Sequence, residues 1–124
     1  MGILKALSPA KACEAAKYGF EGIWFALTDS SFLRLIIFEI LLATVLVWLL
    51  WPLTFIETMA VLPAFTLPLC TEVINVGLEE LADKVEPEKD VMIKRVKDCA
   101  AGATLIANVY LTTTLVAVLV HRFL

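Results

Sequence analysis

Glu72, Asn75, Glu79 and Asp83 follow one another at steps of three, four and four. Read as helix, that spacing puts all four side chains on one face. Two carboxylates, a carboxamide and a third carboxylate in line are hard oxygen donors of the kind that suit Mg²⁺. The segment leading into them is mostly apolar, and charged groups in such a place usually serve a function. Lys97-Asp98 opens the next apolar segment, fourteen positions after Asp83. Acid at the end of one helix, facing base at the start of the next, is the makeup of a site for a metal-bound polyphosphate.

Each of these residues also has a plainer reading. Glu72 and Asn75 could be hydrogen-bonding glue between helices. Glu79, Glu80 and Asp83 could be a solvated helix end. Lys97 could serve only as a topology signal, and Asp98 as a favourable charge at a helix start.

The elements that must position these groups belong in a membrane. A chain of 124 residues that is 60% hydrophobic, with a mean hydropathy of +0.88, is too apolar for an ordinary soluble domain. It is also too short for more than one domain. The net charge of −3, with no basic stretch studded by aromatics, argues against nucleic acid as a partner. Cys13, Cys70 and Cys99 have neither CxxC nor histidine-paired spacing, and the sole histidine is His121. Neither a disulfide framework nor a zinc site is indicated.

Met1 to Leu7 lacks the long apolar core of a signal peptide. Ser8-Pro9 then reads as an N-cap with proline at the first helical position. Cys13, Ala16, Phe20, Ile23, Trp24 and Leu27 keep helical spacing, with Lys11, Glu14, Lys17 and Glu21 elsewhere on the wheel. The pattern predicts an amphipathic surface helix over 8–28, lying in the membrane interface. Asp29 reads as a cap for the helix after it.

Three apolar segments, 35–53, 53–81 and 99–120, are each near or above the ~20 residues needed to cross a bilayer. Trp48 and Trp51 read as interface anchors, and Arg34 and Arg122 as side chains that reach headgroups. Pro63 and Pro68 should bend the second span. Glu39 is expected to face a neighbour or a lipid headgroup. The charged stretch 84–96 reads as the loop between spans two and three. Lys5, Lys11, Lys17 and Arg34 precede span one, and Lys84, Lys89, Lys94, Arg95 and Lys97 lie between spans two and three. Arg122 alone lies on the other side, so the N-terminus and the second loop are expected in the cytoplasm. The acidic face then looks onto the compartment that holds ATP.

The run Glu72-x-x-Asn75-x-x-x-Glu79-x-x-x-Asp83, followed by Lys97-Asp98, resembles the prokaryotic diacylglycerol kinase and undecaprenol kinase family. Ala15-Ala16-Lys17-Tyr18-Gly19-Phe20-Glu21-Gly22 is similar to that family's Ala-Ala-x-Tyr-Ser-x-x-Gly surface-helix segment. The resemblance implies an all-α, homotrimeric kinase of the bacterial cytoplasmic (inner) membrane, with a surface helix and three transmembrane helices per chain. Its reaction would move the γ-phosphoryl of Mg-ATP onto a lipid alcohol, diacylglycerol or undecaprenol. It implies Glu72 as general base and Glu79 and Asp29 as metal ligands. Lys11, Tyr18, Asn75, Glu88, Lys97 and Asp98 would contact the nucleotide.

Asp29 stands where the family has glutamate, and the alignment there needs a one-residue gap. Gly19 replaces the family serine, Val76-Gly77 stands where Ser-Ala or Thr-Ala is usual, and Asp90 replaces a common histidine. No Gly-rich phosphate loop is present, so nucleotide grip must come from side chains. Two other classes fit the residues alone. One is a small transporter or proton channel lined by Glu39, Glu57 and Glu72; the other is a non-catalytic assembly subunit.

Overall fold

The computed structural model describes residues 2–124. They form five helices: α1 (Gly2–Ala6), α2 (Pro9–Ala26), α3 (Ser30–Leu50), α4 (Phe55–Val85) and α5 (Val91–Phe123). There is no strand among the described residues.

Side-chain caps set where the four longer helices begin, because the first backbone N–H groups of a helix lack partners inside it. Ser8 Oγ accepts from the Lys11 N–H at 3.3 Å, with Pro9 in the first turn of α2. Asp29 Oδ1 accepts from the Ser31 and Phe32 N–H groups at 2.8 and 3.3 Å and opens α3. Thr54 and Glu57 exchange reciprocal bonds in a capping box at the start of α4. Asp90 Oδ1 accepts from the Met92 and Ile93 N–H groups at 2.8 and 3.1 Å and opens α5.

The Asp90 cap corrects the expected loop. Only 86–90 lies outside helix, so Lys94 and Arg95 ride on the first turns of α5 and Lys84 on the last turn of α4. A run of charges reads as loop, but the cap and the i,i+4 pair Lys94–Asp98 at 2.6 Å both favour helix there. The other ends also move: α3 runs 30–50 against an expected 35–53, α4 runs 55–85 against 53–81, and α5 runs 91–123 against 99–120. Polar turns extend α3 at its start, α4 at its end and α5 at both ends, while the turn 51–54 shortens α3 at its end and α4 at its start. Pro63 and Pro68 both sit inside α4, which continues through them.

α3, α4 and α5 have 21, 31 and 33 residues, with apolar windows of mean hydropathy 2.4, 1.5 and 1.9. All three are long and apolar enough to cross a membrane. α4 and α5 pair as an antiparallel hairpin, the most extensive helix contact in the chain. The buried residues of α4 form one stripe: Glu57, Val61, Ala64, Pro68, Glu72, Asn75 and Val76, then Ala82. The facing stripe on α5 is Ala100, Ala107, Leu111, Leu115 and Val118.

Two apolar clusters result. One joins Leu46 and Leu50 of α3 to Val61 and Ala64 of α4 and to Leu111, Leu115 and Val118 of α5. The other joins Ala26 of α2, Phe32 of α3 and Val76 of α4, with Leu69 and Ile36 packed against them. The second cluster fixes the start of α3 beside the polar part of α4.

At the opposite end, Glu57 is 5% exposed, and Arg122 Nη1 donates to both its carboxylate oxygens at 2.8 and 2.7 Å. Nη2 of the same guanidinium donates to the Leu50 carbonyl at 3.2 Å. Arg122 therefore ties together the end of α3, the start of α4 and the end of α5, instead of reaching for headgroups as its sequence position suggests.

Removing one partner of such a pair strands the other without a counter-charge, which costs more than removing both. Arg122→Leu should lower the Tm in detergent by several degrees, and Glu57→Leu in the same chain should recover part of that loss. Losses that simply add in the double variant would show that the two side chains act independently.

Candidate active site

Glu72, Asn75 and Glu79 lie on one face of α4, as their spacing requires, and that face is largely turned inward. Glu72 is 6% exposed and Asn75 8%, while Glu79 is half-buried. Asn75 Nδ2 donates to Glu79 Oε1 at 3.5 Å, which links the two across one turn. The other half of the carboxamide is unsatisfied: Asn75 Oδ1 is buried and has no hydrogen-bond partner among the described residues.

The Asn75 and Thr104 side chains lie at the Glu72 carboxylate, and those of Asp29 and Glu79 are close enough to act on it electrostatically. Asp29 reaches this place because it caps α3. Both of its capping bonds are accepted by Oδ1, so Oδ2 takes no part in the cap. Thr104 is a contributor that sequence reasoning missed. It lies on α5 one turn after Ala100, which is buried, and is itself half-buried.

Glu72 thus lies within electrostatic reach of two further carboxylates, Asp29 and Glu79, beside one unbonded amide oxygen of α4 and a hydroxyl from α5. Lys97 lies within electrostatic reach of Glu79, yet its ammonium is bonded to Asp83, joining α5 to the last turn of α4. Among the described residues, no group of three His, Cys, Asp or Glu side chains is gathered closely enough to enclose a metal ion. Mg²⁺ does not need such a cage, since it keeps several waters and commonly takes one or two carboxylates plus phosphate oxygens. The donor set of Glu79, Asp29 and the free Asn75 oxygen fits that habit.

The remaining expected residues divide between two places. Asp83, Glu88, Lys94 and Lys97 line an open cavity of about 500 Å³ around the 86–90 connector. Asp98 is exposed and bonded to Lys94. Lys11 and Tyr18 are on α2, whose residues are exposed up to Ala26; the Tyr18 hydroxyl donates to Glu14 of the same helix at 3.0 Å. Within one chain these two are not brought to the Glu72 group.

The family model for prokaryotic diacylglycerol kinase matches residues 17–120. The chain belongs to the prokaryotic diacylglycerol kinase family. No curated protein matches it in a sequence comparison. Membership makes this protein a lipid kinase in the general sense, and with α3, α4 and α5 it is a multi-pass membrane protein. The buried polar stretch of α4 lies within the matched region.

In this diacylglycerol kinase family member, Gly77 is an exposed position of α4 next to that stretch. A Cβ at Gly77 would meet nothing within 4 Å among the described residues. Gly77→Ala should therefore stabilise α4 by about 0.5–1 kcal/mol, read as a higher Tm in detergent. A lower Tm would mean that a second copy of the chain packs against that glycine.

Proposed function

We propose that the chain transfers the γ-phosphoryl group of Mg-ATP to the hydroxyl of a membrane lipid, diacylglycerol, yielding phosphatidic acid. The observation that carries this reading is the buried Glu72 carboxylate. It lies among Asn75, Thr104, Asp29 and Glu79, with no hydrogen bond to a basic side chain among the described residues. A primary alcohol is a poor nucleophile until a base takes its proton, and a carboxylate at the bilayer edge can do so. Glu72 is the group of this cluster that a lipid hydroxyl would meet, while Glu79 and Asp29 are nearer the water.

Phosphoryl transfer asks mostly for positioning and for neutralisation of spreading charge. Glu79 and Asp29, with Asn75 Oδ1, would hold Mg²⁺, which when bound neutralises phosphate oxygens. Asn75 adds an oxygen donor without adding negative charge. Lys97 supplies a compact positive charge at the mouth of the connector cavity, where Glu88 and Lys94 also lie. Asp83 holds that ammonium between the two helices and keeps it from collapsing onto the Glu79 carboxylate.

Several features support the membrane arrangement. Phe20 and Trp24 of α2 are each 75% exposed, as befits a helix lying in the interface with its apolar side in lipid. Trp48 and Trp51 are similarly exposed at the far end of α3, where an aromatic belt would sit. The distribution of lysines and arginines supports a cytoplasmic 86–90 connector, facing ATP. Lys11 and Tyr18 reach a nucleotide only if α2 of one copy lies over the site of another, which a homotrimer would provide.

Undecaprenol is the second acceptor to consider, since the same base would serve its hydroxyl. A proton or solute pathway through Glu39, Glu57 and Glu72 is disfavoured by the bidentate bond that commits Glu57 to Arg122.

Glu72→Gln keeps the volume of the side chain and removes the base. Purified variant should bind Mg-ATP as wild type does and transfer phosphate roughly 10²–10⁴-fold more slowly. Near-normal turnover in that variant would remove Glu72 from the role of base.

A further inference from the structure

Glu39 takes no part in the group around Glu72, and it is 5% exposed inside the membrane-spanning α3. Its Oε1 has no hydrogen-bond partner among the described residues. The basic residue nearest it in α3, Arg34, donates through Nε to the Ser30 carbonyl, and Arg122 is held by Glu57. Glu39 lines a recess of about 210 Å³ between α3 and α4, with Ile36, Ile40, Ala43, Phe65 and Leu69 as the other walls. One carboxyl group in an otherwise apolar recess, buried and unbonded, is a costly arrangement unless a ligand atom completes it.

The position of the recess says which atom. Phe65 and Glu72 are seven residues apart on α4 and so share a face. Leu69 is a wall of the recess and packs against the cluster beside Glu72. Leu69 is three positions before Glu72, so the recess begins about one turn, roughly 5 Å, deeper in the bilayer. A diacylglycerol whose free hydroxyl lies at Glu72 carries its ester carbonyls a few bonds further along, on the acyl side. As the neutral acid, a carboxyl group has one O–H donor to offer such a carbonyl. A polyprenol has only hydrocarbon at that depth.

We propose that Glu39 is a specificity-determining residue, whose carboxyl donates a hydrogen bond to an acyl ester carbonyl of the lipid acceptor. It thereby selects glycerol esters over polyprenols. The inference rests on the reading of Glu72 as the base of a lipid kinase.

Purified protein in micelles is compared on 1,2-diacylglycerol, on 1,2-dialkylglycerol of the same chain length (ethers, with no carbonyl), and on a polyprenol. Wild type should favour the ester over the ether by about fivefold in kcat/KM, the worth of one ordinary hydrogen bond, with the difference carried by KM. Glu39→Leu should bring the ester-to-ether ratio to near one, whereas Glu39→Gln, which keeps an N–H donor, should retain most of it. Equal use of ester and ether by wild type overturns the proposal and needs no variant, so a folding defect has no bearing on it. A Glu39→Leu protein that keeps the preference, or a wild type that prefers the polyprenol, overturns it too. Wild type that phosphorylates none of the three overturns the kinase reading itself, and this inference falls with it.

Discussion

An acidic side chain on the buried stripe of a membrane helix must be given a partner or a purpose, because charge leaves water only at a high cost. α4 carries two such positions at opposite ends of one stripe, and the chain treats them differently. Glu57 is matched by Arg122, with both carboxylate oxygens bonded. Glu72 has Thr104 and Asn75 beside it, with two further carboxylates close by, and the nearest ammonium is already bonded to Asp83. One end is balanced within the chain. The other carries an excess of negative charge and an unbonded oxygen, which a cation from outside would complete.

That imbalance is held in place by ordinary packing. Phe32 and Val76 bring the start of α3 against α4, so the residue that caps α3, Asp29, lies beside Glu72. The cap uses one oxygen of Asp29 and leaves the other available, so a single residue can serve both helix geometry and ligation. On the other side, α5 packs along α4 with Ala100 and Ala107 buried, and Thr104 between them lies at Glu72. Helix caps and the packing of α4 against α3 and α5, more than any loop, position the polar groups.

Much of this was legible in the sequence, for definite reasons. The periodicity of Glu72, Asn75 and Glu79 gave their common face, and Ser8, Asp29 and Asp90 are residue types whose side chains cap helices. Three apolar segments of sufficient length gave the spans. Where α4 ends and α5 begins was not legible, since the charges of 84–96 suit either a loop or capped helix turns, and only the Asp90 bonds decide. The partner of Glu57 was hidden because it lies 65 positions away, at the far end of α5. Thr104 was hidden for a similar reason: nothing local distinguishes a threonine that faces a carboxylate from one that faces lipid. Lys11 and Tyr18 matched the family pattern, yet one chain alone does not bring them to the site.

The most direct measurement is incubation of the purified protein with γ-labelled ATP, Mg²⁺ and vesicles containing diacylglycerol, followed by separation of the lipids. Label should appear in phosphatidic acid, and only when magnesium, nucleotide and acceptor are all present. Intact diacylglycerol and unlabelled lipid after prolonged incubation with folded, membrane-inserted protein would contradict the assignment of this buried acidic cluster to phosphoryl transfer.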